Sequence, residues 1–441
     1  MSKRKAARLT ISPDISYEPY WWQARNRETV PEPDLPERVD FAVIGGGYTG
    51  LSAALTLARA GGSVIVFDSR DPGDGASSRN GGMVGNRLKA GFESLSRSYG
   101  EKQACALLDE ADASVDFLER LIIDNGIECD FGRMGRFHAA LNPKHYEALA
   151  RDMEIEKRHR DFDAVMVPVE EQSQFLHSPL YHGGRVHHDT GGLHPAKMHD
   201  GLLAAARNAG AKVAARTDVI ALEETDEGYV VETGLGYVEA RKVLVCTNGY
   251  TGPATPDFRQ RAIPVTSAIA ATEELDPALV ERLIPGGRMI TDSFNLLNYY
   301  RPSPDGRRIL LGSRPITGAE TGPKLADYLG RRIVSIFPEL EGKAVSHCWS
   351  GKVAFSFDKF PKIGMDGNIG YAMCYGGSGV AMSHWLGHKL AQKAMDDLAG
   401  RTAFDDMPFD SPFYYDGWPW FLGVLLGWYG LRDAMTRVSR R

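Results

Sequence analysis

The chain has 441 residues, with a hydrophobic content of 43% and a charged content of 24%, as in ordinary globular proteins. This length exceeds what one hydrophobic core supports, so two intertwined domains are expected. The formal net charge of −6 excludes a general basic surface for nucleic acid. The five cysteines are far apart and form no Cys-x-x-Cys, which excludes a disulfide framework, a redox-active dithiol and a zinc ribbon.

The segment before the first apolar strand, residues 1–37, contains several prolines and an aromatic group. Its opening residues are basic, but no apolar signal core follows them, so we expect a cytoplasmic protein. Tyr17, Tyr20, Trp21 and Trp22 are large anchors. We therefore expect this arm to dock on the body of the protein or on a partner.

A dinucleotide signature begins where an apolar strand runs into Gly-x-Gly-x-x-Gly. Gly45 permits the tight turn, Gly47 lets the backbone approach a pyrophosphate, and Gly50 lets a helix pack closely on the strand. The helix is predicted over Tyr48–Ala60, and its N-terminus directs unpaired N–H groups and a partial positive charge at the phosphates. Asp68 ends the next strand and is placed to accept hydrogen bonds from a ribose hydroxyl. Together these features predict a dinucleotide site.

The next segment begins a second domain. Apolar residues at three- and four-residue steps predict a helix over Gln103–Ile123, and a further helix is predicted over Pro195–Ala209. Six of the twelve histidines lie between His177 and His199. No two of them have the i, i+4 spacing of a helical metal motif, so no metal site is expected.

Two later strands end in residues suited to a ligand. The buried strand Lys242–Cys246 ends in Thr247-Asn248-Gly249-Tyr250. Farther on, Gly376-Gly377-Ser378-Gly379-Val380 leads into a helix predicted over Met382–Leu398, and three glycines in four positions favour close approach of the backbone to a cofactor. Shorter strands are predicted over Lys212–Ala215, Val219–Glu223, Gly228–Glu232 and Tyr237–Ala240.

The C-terminal tail is dense in aromatic residues between Asp416 and Met435. Its apolar run is too short to span a bilayer. With the arginines that follow, it is suited either to a membrane interface or to covering the protein's own surface or a subunit partner. We favour the second alternative, and a homo-oligomer stays open.

These motifs make the chain similar to the D-amino-acid-oxidase-like FAD-dependent oxidoreductases, which include sarcosine oxidase, glycine oxidase and gamma-glutamylputrescine oxidase. The resemblance extends from about Asp40 to Ala399. Its segment Gly75–Gly82 and the aromatic arm are most similar to the gamma-glutamylputrescine oxidase branch. The motifs are Gly45–Gly50 with Asp68, Gly75–Gly82, Gly191–Pro195, Thr247–Tyr250, Trp349–Gly351 and Gly376–Val380.

The resemblance implies an α/β fold with an α+β substrate domain. An interrupted Rossmann-type FAD-binding domain would comprise residues 38–91, 178–257 and 348–400. A substrate domain built on an antiparallel sheet would comprise residues 92–177 and 258–347. The arm 1–37 and the aromatic tail 401–441 would flank them.

The resemblance also implies the cofactor contacts. The first glycine turn would hold the pyrophosphate, Asp68 the ribose and Val219 the adenine, while the later glycines would contact the flavin ring. Because the flavin-linking cysteine of sarcosine oxidases falls near Gly351 here, we expect non-covalent FAD. The expected contacts are Gly45, Gly47, Tyr48, Thr49, Gly50, Asp68, Ser69, Ala76, Ser77, Arg79, Asn80, Gly81, Gly82, Met83, Val219, Thr247, Asn248, Gly249, Gly351, Gly377, Ser378, Gly379 and Val380.

Departures from the family pattern bear on the substrate. The carboxylate-binding basic residues of sarcosine oxidases correspond here to Gly82, Gly85 and Ala381, so an amino-acid carboxylate cannot be held in that manner. The lysine credited with activating oxygen corresponds in a loose alignment to Leu310. An acceptor other than dioxygen therefore stays open.

The implied chemistry is hydride transfer from an amine carbon to flavin N5, followed by hydrolysis of the imine by water. The candidate catalytic residues are Tyr300, Arg301 and Lys352. Arg301 either binds an anionic part of the substrate or forms a structural ion pair. Tyr300 either lines the pocket or packs in the core, and Lys352 lies either at the flavin or on the surface.

Three functions follow. The first is an amine oxidase that acts on a polyamine or an acylated amine and uses dioxygen. The second is an amine or amino-acid dehydrogenase of the same fold that passes electrons to a quinone or another carrier. The third is a non-redox protein with structural FAD.

Overall fold

The computed structural model describes residues 8–24, 34–315 and 321–438, with side chains described as far as residue 435. The helices are α1 (Tyr48–Arg59), α2 (Phe92–Tyr99), α3 (Glu101–Asp124), α4 (Pro143–Lys157), α5 (Pro195–Asn208), α6 (Pro256–Arg259), α7 (Pro277–Leu283), α8 (Pro323–Ile336), α9 (Gly379–Ala394) and α10 (Leu422–Val438). The strands are β1 (Thr10–Ser16), β2 (Arg38–Ile44), β3 (Val64–Phe67), β4 (Met83–Val84), β5 (Arg136–Ala139), β6 (Ala164–Val167), β7 (Gly184–His187), β8 (Gly191–Gly192), β9 (Lys212–Ala214), β10 (Val219–Thr225), β11 (Gly228–Thr233), β12 (Gly236–Val245), β13 (Ile263–Thr272), β14 (Met289–Asp292), β15 (Tyr299–Pro302), β16 (Ile309–Ser313), β17 (Ala344–Phe355), β18 (Lys362–Asp366) and β19 (Ile369–Met373).

The first sheet has a parallel centre. β12 pairs in parallel with β2 and with β19, and β3 pairs in parallel with β2 and β9. The antiparallel strands β10, β11 and β18 extend it. α1, α3, α5 and α9 contribute to one apolar core against this sheet, as expected for strands buried on both faces. The carboxyl ends of β2, β3, β12 and β19 therefore meet at one edge, where ligands bind in such folds.

The predicted helices form with ends shifted by a few residues. α1 spans Tyr48–Arg59 and α3 spans Glu101–Asp124. α9 begins at Gly379, earlier than predicted, because the left-handed residues Gly376 and Gly377 complete the turn before it. β12 is one strand where two were predicted, since its residues alternate between buried and exposed as far as Arg241 and its last three residues are buried.

The second sheet has the order β1-β17-β13-β16-β15-β14-β5-β7-β6. Most of its pairs are antiparallel, but β1 with β17 and β14 with β5 are parallel. One face packs on α8 through Leu325, Leu329 and Ile333. The other face carries Ile269, Leu310 and Trp349. The observed architecture confirms the predicted α/β class with an antiparallel-sheet part.

Three strands of this second sheet come wholly or partly from segments that were not predicted to belong to the substrate domain. β1 comes from the arm 1–37, and β7 comes from the segment 178–257 expected in the cofactor domain. β17 crosses the expected boundary at residue 348. The other predicted boundaries between the FAD-binding domain and the substrate domain remain predictions.

The C-terminal tail lies partly on the protein itself. Phe421 and Leu422 pack against an apolar cluster that contains Val265 and Tyr415. Asp433 is 4% exposed and accepts hydrogen bonds from the backbone N–H of Asn295 and of Leu296, both at 2.9 Å. The opposite side of the tail leaves Trp418, Trp420, Val424 and Trp428 exposed. Among the described residues, no helix is both long enough and apolar enough to cross a membrane.

Candidate active site

A cavity of about 910 Å³ opens at the edge where the parallel strands end. Its wall contains residues that follow β2, β3, β12 and β19, together with the tail residues Trp418, Leu422 and Leu426. It brings together these predicted residues: Gly45, Gly47, Tyr48, Thr49, Asp68, Ser69, Ala76, Ser77, Asn80, Val219, Thr247, Asn248, Gly249, Lys352, Gly377, Gly379 and Val380.

The remaining predicted residues are not part of this cavity wall. They are Gly50, Arg79, Gly81, Gly82, Met83, Tyr300, Arg301, Gly351 and Ser378. Several of them support the wall from behind. Arg79, for example, donates from Nη1 to the Ser350 carbonyl oxygen at 2.9 Å.

The first glycine turn leaves no room for side chains. Gly45 has φ +107°, a left-handed value that favours glycine, and a Cβ there would lie 2.9 Å from the Cys246 carbonyl oxygen. A Cβ on Gly50 would overlap the Gly45 carbonyl oxygen. A Cβ on Gly47 would lie 2.8 Å from Ser77 Oγ, which itself accepts the Tyr48 backbone N–H at 2.9 Å. The glycine turn therefore packs against its neighbours through backbone atoms, with no space for side chains.

Gly46 connects the turn to Asp68. The Gly46 N–H donates to Asp68 Oδ2 at 2.9 Å, and the Arg70 N–H donates to Asp68 Oδ1 at 3.0 Å. Burial raises the pKa of Asp68, although these two hydrogen bonds oppose that rise. His199 Nε2 lies 2.8 Å from the Gly46 carbonyl oxygen. This backbone contact of His199 was not predicted from the sequence.

Two helix N-termini meet at the cavity. α1 begins at Tyr48 and α9 at Gly379, and both residues line the wall. A Cβ on Gly387 would overlap the Thr49 carbonyl oxygen, so α9 approaches α1 as closely as backbone allows. Thr49 Oγ1 and the Tyr375 hydroxyl, 2.7 Å apart, join the two glycine clusters. The positive ends of two helices therefore favour an anionic group in the cavity.

Three tryptophans hold three consecutive residues of the segment beside the cavity. Trp22 Nε1 donates to Ser78 Oγ at 2.8 Å, and Trp21 Nε1 donates to the Asn80 carbonyl oxygen at 2.7 Å. From β17, Trp349 Nε1 donates to the carbonyl oxygen of the intervening Arg79 at 2.8 Å. The aromatic arm thus docks on the body of the protein, one of the two predicted alternatives, and it does so at the site.

Alternation along β15 places Tyr299 and Tyr300 on opposite faces of the second sheet. Tyr300 is 1% exposed and packs edge-on against Phe337 in the α8 core, away from the cavity. Tyr299 points the other way, and its ring carbon Cε2 lies 3.0 Å from the Cβ position of Gly81. Its hydroxyl lies 2.9 Å from Ser267 Oγ. The period of two in a strand was the sequence signal for Tyr299.

Arg301 shares the face of Tyr299 but binds backbone. Its Nη1 donates to the carbonyl oxygens of Gly82 at 3.0 Å and Leu193 at 2.8 Å, and its Nε donates to that of Pro302. Burial lowers the pKa of Arg301 to about 10. These contacts are neither of the two alternatives from the sequence, a substrate anion or an ion pair. They clamp the glycine segment in place.

Lys352 lies on the cavity wall. Its backbone N–H donates to the Tyr250 hydroxyl at 3.0 Å, and its Cβ lies 3.2 Å from the Cβ position of Gly249. Gly249 and Tyr250, the two residues that contact Lys352, therefore both belong to the motif Thr247–Tyr250. The contact between Lys352 and Tyr250 was not predicted from the sequence, because the two residues are 102 positions apart.

Gly82, Gly85 and Ala381, which stand where sarcosine oxidases have carboxylate-binding residues, are enclosed by neighbouring atoms of the protein. A Cβ on Gly82 would lie 2.8 Å from Arg301 Nη1, and a Cβ on Gly85 would lie 2.7 Å from Arg136 Cζ. Ala381 has no exposed surface within α9. Leu310 packs in the cluster with Trp21 and Trp349.

The residues present fit a dinucleotide. Backbone fills the places that side chains would occupy, and two helix N-termini are available for a pyrophosphate. Asp68, Val219, Lys352 and Gly377 all line the same cavity wall. Cys348 is fully buried in the α8 core, on the face of β17 opposite to Gly351. This placement agrees with non-covalent binding near Gly351.

Comparison with known proteins gives the same assignment. Residues 40–393 match the model of the family described as DAO, FAD dependent oxidoreductase. The chain is 31% identical to gamma-glutamylputrescine oxidoreductase of Escherichia coli K12 over 84% of this chain and 86% of that protein. It is also 31% identical to the probable oxidoreductase OrdL of Rhizobium meliloti, over 96% and 98% of the two chains. Glycine oxidase from Geobacillus kaustophilus has the same fold, with a TM-score of 0.72, 20% identity, and coverage of 86% of this chain and 100% of that one. The chain therefore belongs to the DAO family of FAD-dependent oxidoreductases.

Proposed function

We propose that this enzyme oxidises a C–N bond of an amine, either a polyamine or an acylated amine, and releases an imine that water hydrolyses. The observation that carries the proposal is the closure of the sarcosine-type carboxylate positions by Arg301 at Gly82 and by Arg136 at Gly85. Arg301 already donates to backbone carbonyl oxygens and the Arg136 guanidinium is buried, so in this proposal neither cation holds the carboxylate of a small α-amino acid. The similarity to gamma-glutamylputrescine oxidoreductase supports an amine of this kind.

The cofactor residues have separate tasks in this proposal. The glycine turn and the α1 N-terminus bind the pyrophosphate, and Asp68 binds the ribose. Bound FAD supplies the chemistry by accepting hydride from the carbon next to the amine nitrogen. The N-terminus of α9 also points its partial positive charge into the cavity. In this proposal it stabilises the negative charge that the reduced flavin would carry.

The protein must also orient the amine and keep water out. Tyr299 and Ser267 form a hydroxyl pair on the cofactor side of the second sheet, within reach of Gly81. Burial raises the pKa of Tyr299, so its hydroxyl stays protonated and remains a hydrogen-bond donor near neutral pH. In the proposal this hydroxyl orients the unprotonated amine, and Trp418, Leu422 and Leu426 help to shield the cavity.

An assay for aldehyde and ammonia tests the substrate class. We expect product from putrescine and N-acetylputrescine and little from sarcosine or glycine. Faster turnover of sarcosine than of every amine in the panel would contradict the proposal. Tyr299→Phe should lower turnover and preserve flavin binding, whereas Tyr237→Phe, an exposed tyrosine on β12, serves as the matched control.

The electron acceptor distinguishes an amine oxidase, which passes electrons to dioxygen, from an amine dehydrogenase of the same fold. Leu310 lies where the family's oxygen-activating lysine is expected, and it is 2% exposed in an apolar cluster. This observation favours the alternative in which electrons go to a quinone or another carrier. Stopped-flow mixing of the reduced enzyme with air-saturated buffer distinguishes the two, because slow reoxidation excludes an oxidase.

A further inference from the structure

Helix α10 carries apolar side chains on two opposite faces. Its inner face packs on the protein, since Leu422 and Leu426 line the cofactor cavity and Asp433 accepts hydrogen bonds from the loop after β14. Its outer face follows steps of four, three and four residues, which place four side chains in one stripe along the helix. These residues, each more than half exposed, are Val424, Trp428, Leu431 and Met435.

Such an outer face is unusual for a helix on the surface of a protein. A surface helix normally buries one apolar stripe and presents polar residues to water on the other side. A helix that is apolar on both sides is normally buried on both sides. The outer face of α10 therefore requires a covering that the described chain does not supply.

Two tryptophans directly before the helix add to this exposed apolar surface. Trp418 and Trp420 are 69% and 61% exposed, and Trp428 on the helix is 55% exposed. Since a whole aromatic side chain has about 150–250 Å² of surface, these three leave roughly 300–450 Å² in contact with water. That area alone is comparable to the largest apolar patch of a typical monomer. The tail is therefore suited to a binding surface.

The charges that accompany this surface are positive. Within residues 417–441 the sequence has one acid, Asp433, and that carboxylate is buried and hydrogen-bonded inside the protein. The same stretch contains four arginines, Arg432, Arg437, Arg440 and Arg441. Because the formal net charge of the whole chain is −6, this positive charge is a local property of the tail.

The order of charges and rings along the tail matches the surface of a bilayer that contains anionic lipid. Asp406, Asp410 and Asp416 precede the helix, so the positive charge belongs to its C-terminal end. Aromatic rings favour the boundary between headgroups and acyl chains, where aliphatic side chains reach the acyl chains. Arginines near such a surface are attracted by its negative potential.

A second copy of the chain fits the same surface less well. A stable interface between copies buries about 800 Å² on each partner, roughly twice the area that the three tryptophans expose. Two identical tails would also bring positive charge against positive charge. Anionic headgroups, in contrast, complement the arginines.

We propose that the outer face of α10 docks the enzyme on a membrane surface that contains anionic lipid. The helix lies along the surface, with its apolar side chains about 5–10 Å deep and its arginines at the lipid phosphates. Because the inner face of the same helix lines the cofactor cavity, docking places this cavity beside the bilayer. The proposal goes beyond amine oxidation and does not depend on which amine is oxidised.

Flotation of the full-length holoenzyme with vesicles tests the proposal. One set of vesicles is phosphatidylcholine alone, and the other is three parts phosphatidylcholine to one part phosphatidylglycerol. At a salt concentration of about 0.1 M we expect at least about fivefold more enzyme to float with the anionic vesicles, and less at higher salt because the charges are screened. Failure to float with either set, or equal flotation with both, would overturn the proposal.

A double variant of the outer face locates the contact. Trp428→Ser/Leu431→Ser should lower partition onto anionic vesicles at least about tenfold, because the variant loses apolar surface. Leu235→Ser/Tyr237→Ser is the matched control, since these residues are similarly exposed but lie far from the tail in sequence. Circular dichroism melting and flavin absorbance show that both variants fold and hold FAD. Undiminished flotation of the folded tail variant would overturn the proposal.

A charge variant gives a second readout, and it leaves the apolar face intact. Arg437→Gln/Arg440→Gln/Arg441→Gln should lower partition onto the anionic vesicles at least about tenfold and should leave the weak partition onto pure phosphatidylcholine unchanged. A structural role of the tail would not distinguish the two lipids. Unchanged flotation of this variant with anionic vesicles would exclude the anionic headgroups as its partner.

Light scattering of the same proteins without lipid tests the alternative occupant. If the wild type is a dimer and Trp428→Ser/Leu431→Ser is a monomer, while neither binds vesicles, then a second copy covers the outer face and the proposal is wrong. Vesicle binding is measured without any amine, so the presence or absence of amine oxidation does not change its result.

Discussion

At residue 50, one methyl group would disturb both the turn and the helix. A Cβ there would overlap the Gly45 carbonyl oxygen and lie 3.0 Å from Val43 Cγ1. Val43 is buried in the first sheet and Gly45 belongs to the turn that follows β2, and overpacking such a site costs about 1–3 kcal/mol. Gly50 therefore acts through packing, although it belongs to a ligand-binding motif.

We predict that Gly50→Ala loses about 1–3 kcal/mol of unfolding free energy and binds FAD weakly, because helix α1 must move off the strand. Urea denaturation and flavin fluorescence measure the two effects. Gly234→Ala is the control, since a Cβ there meets nothing within 4 Å. A Gly50→Ala protein as stable as this control would show that α1 does not need the close approach.

Some residue roles follow from local pattern and others do not. Gly45, Gly50 and Asp68 were predictable because a strand, a turn and a helix in order specify their backbone positions. Tyr300 was the predicted candidate, but strand alternation places it in the α8 core and places Tyr299 on the opposite face, towards Gly81. Arg301 was predicted as a candidate, but its carbonyl partners lie far away in sequence, at Gly82 and Leu193. Only the folded chain identifies such partners.

At the scale of elements, the N-terminal arm and β17 act together on residues 78–80. Each indole N–H hydrogen bond contributes about 1 kcal/mol net. If the segment is ordered by these bonds, then releasing them lowers the fraction of protein ready to bind FAD.

We predict that Trp21→Phe and Trp349→Phe each weaken FAD binding about fivefold, and that the double variant weakens it further, because phenylalanine keeps one aromatic ring but removes the N–H donor of the indole. Fluorescence titration of the apoprotein with FAD measures the dissociation constants. Trp420→Phe, at an exposed site in the tail, is the control. Unchanged affinity in the double variant would mean that the segment is held without the indoles.

Helix α10 is held by Asp433, whose carboxylate accepts two backbone N–H groups and the Asn295 side-chain amide. Asp433→Ala removes these bonds and should release the helix from the cavity wall. We predict stronger quenching of flavin fluorescence by iodide, since Leu422 and Leu426 line the cavity. Asp410→Ala, an exposed position, should behave as the wild type. Equal quenching in both variants would contradict a covering role.

The elements themselves were largely predictable. Apolar periodicity predicted α3 and α5, the two glycine motifs predicted α1 and α9, and apolar runs predicted β2, β3 and the end of β12, whereas β19 was not predicted. The order of the second sheet was not predictable, because β1 and β7 pair with strands distant in sequence. Pairing of this kind depends on tertiary packing, which no local pattern records.

On the scale of the whole molecule, the cofactor cavity joins distant segments. Its wall extends in sequence from Ile44 to Leu426 and includes residues of both sheets and of the tail. A ligand that binds only when these segments are assembled stabilises the folded state by mass action.

We predict that removing FAD lowers the melting temperature and that adding it back restores the temperature in proportion to the logarithm of its concentration. At a free FAD concentration of 100 times the dissociation constant, the gain is about 2.7 kcal/mol. Scanning calorimetry of apoprotein and reconstituted protein provides the measurement. A melting temperature independent of FAD would mean that the cavity does not couple these segments.

The most direct test of the central claim is anaerobic mixing of the purified holoenzyme with putrescine and N-acetylputrescine, read as flavin absorbance. If the cavity brings an amine C–H bond to the flavin, at least one of these amines will bleach the absorbance. If the absorbance is unchanged by every amine tested, while dithionite bleaches it, then the enzyme does not oxidise amines of the proposed class.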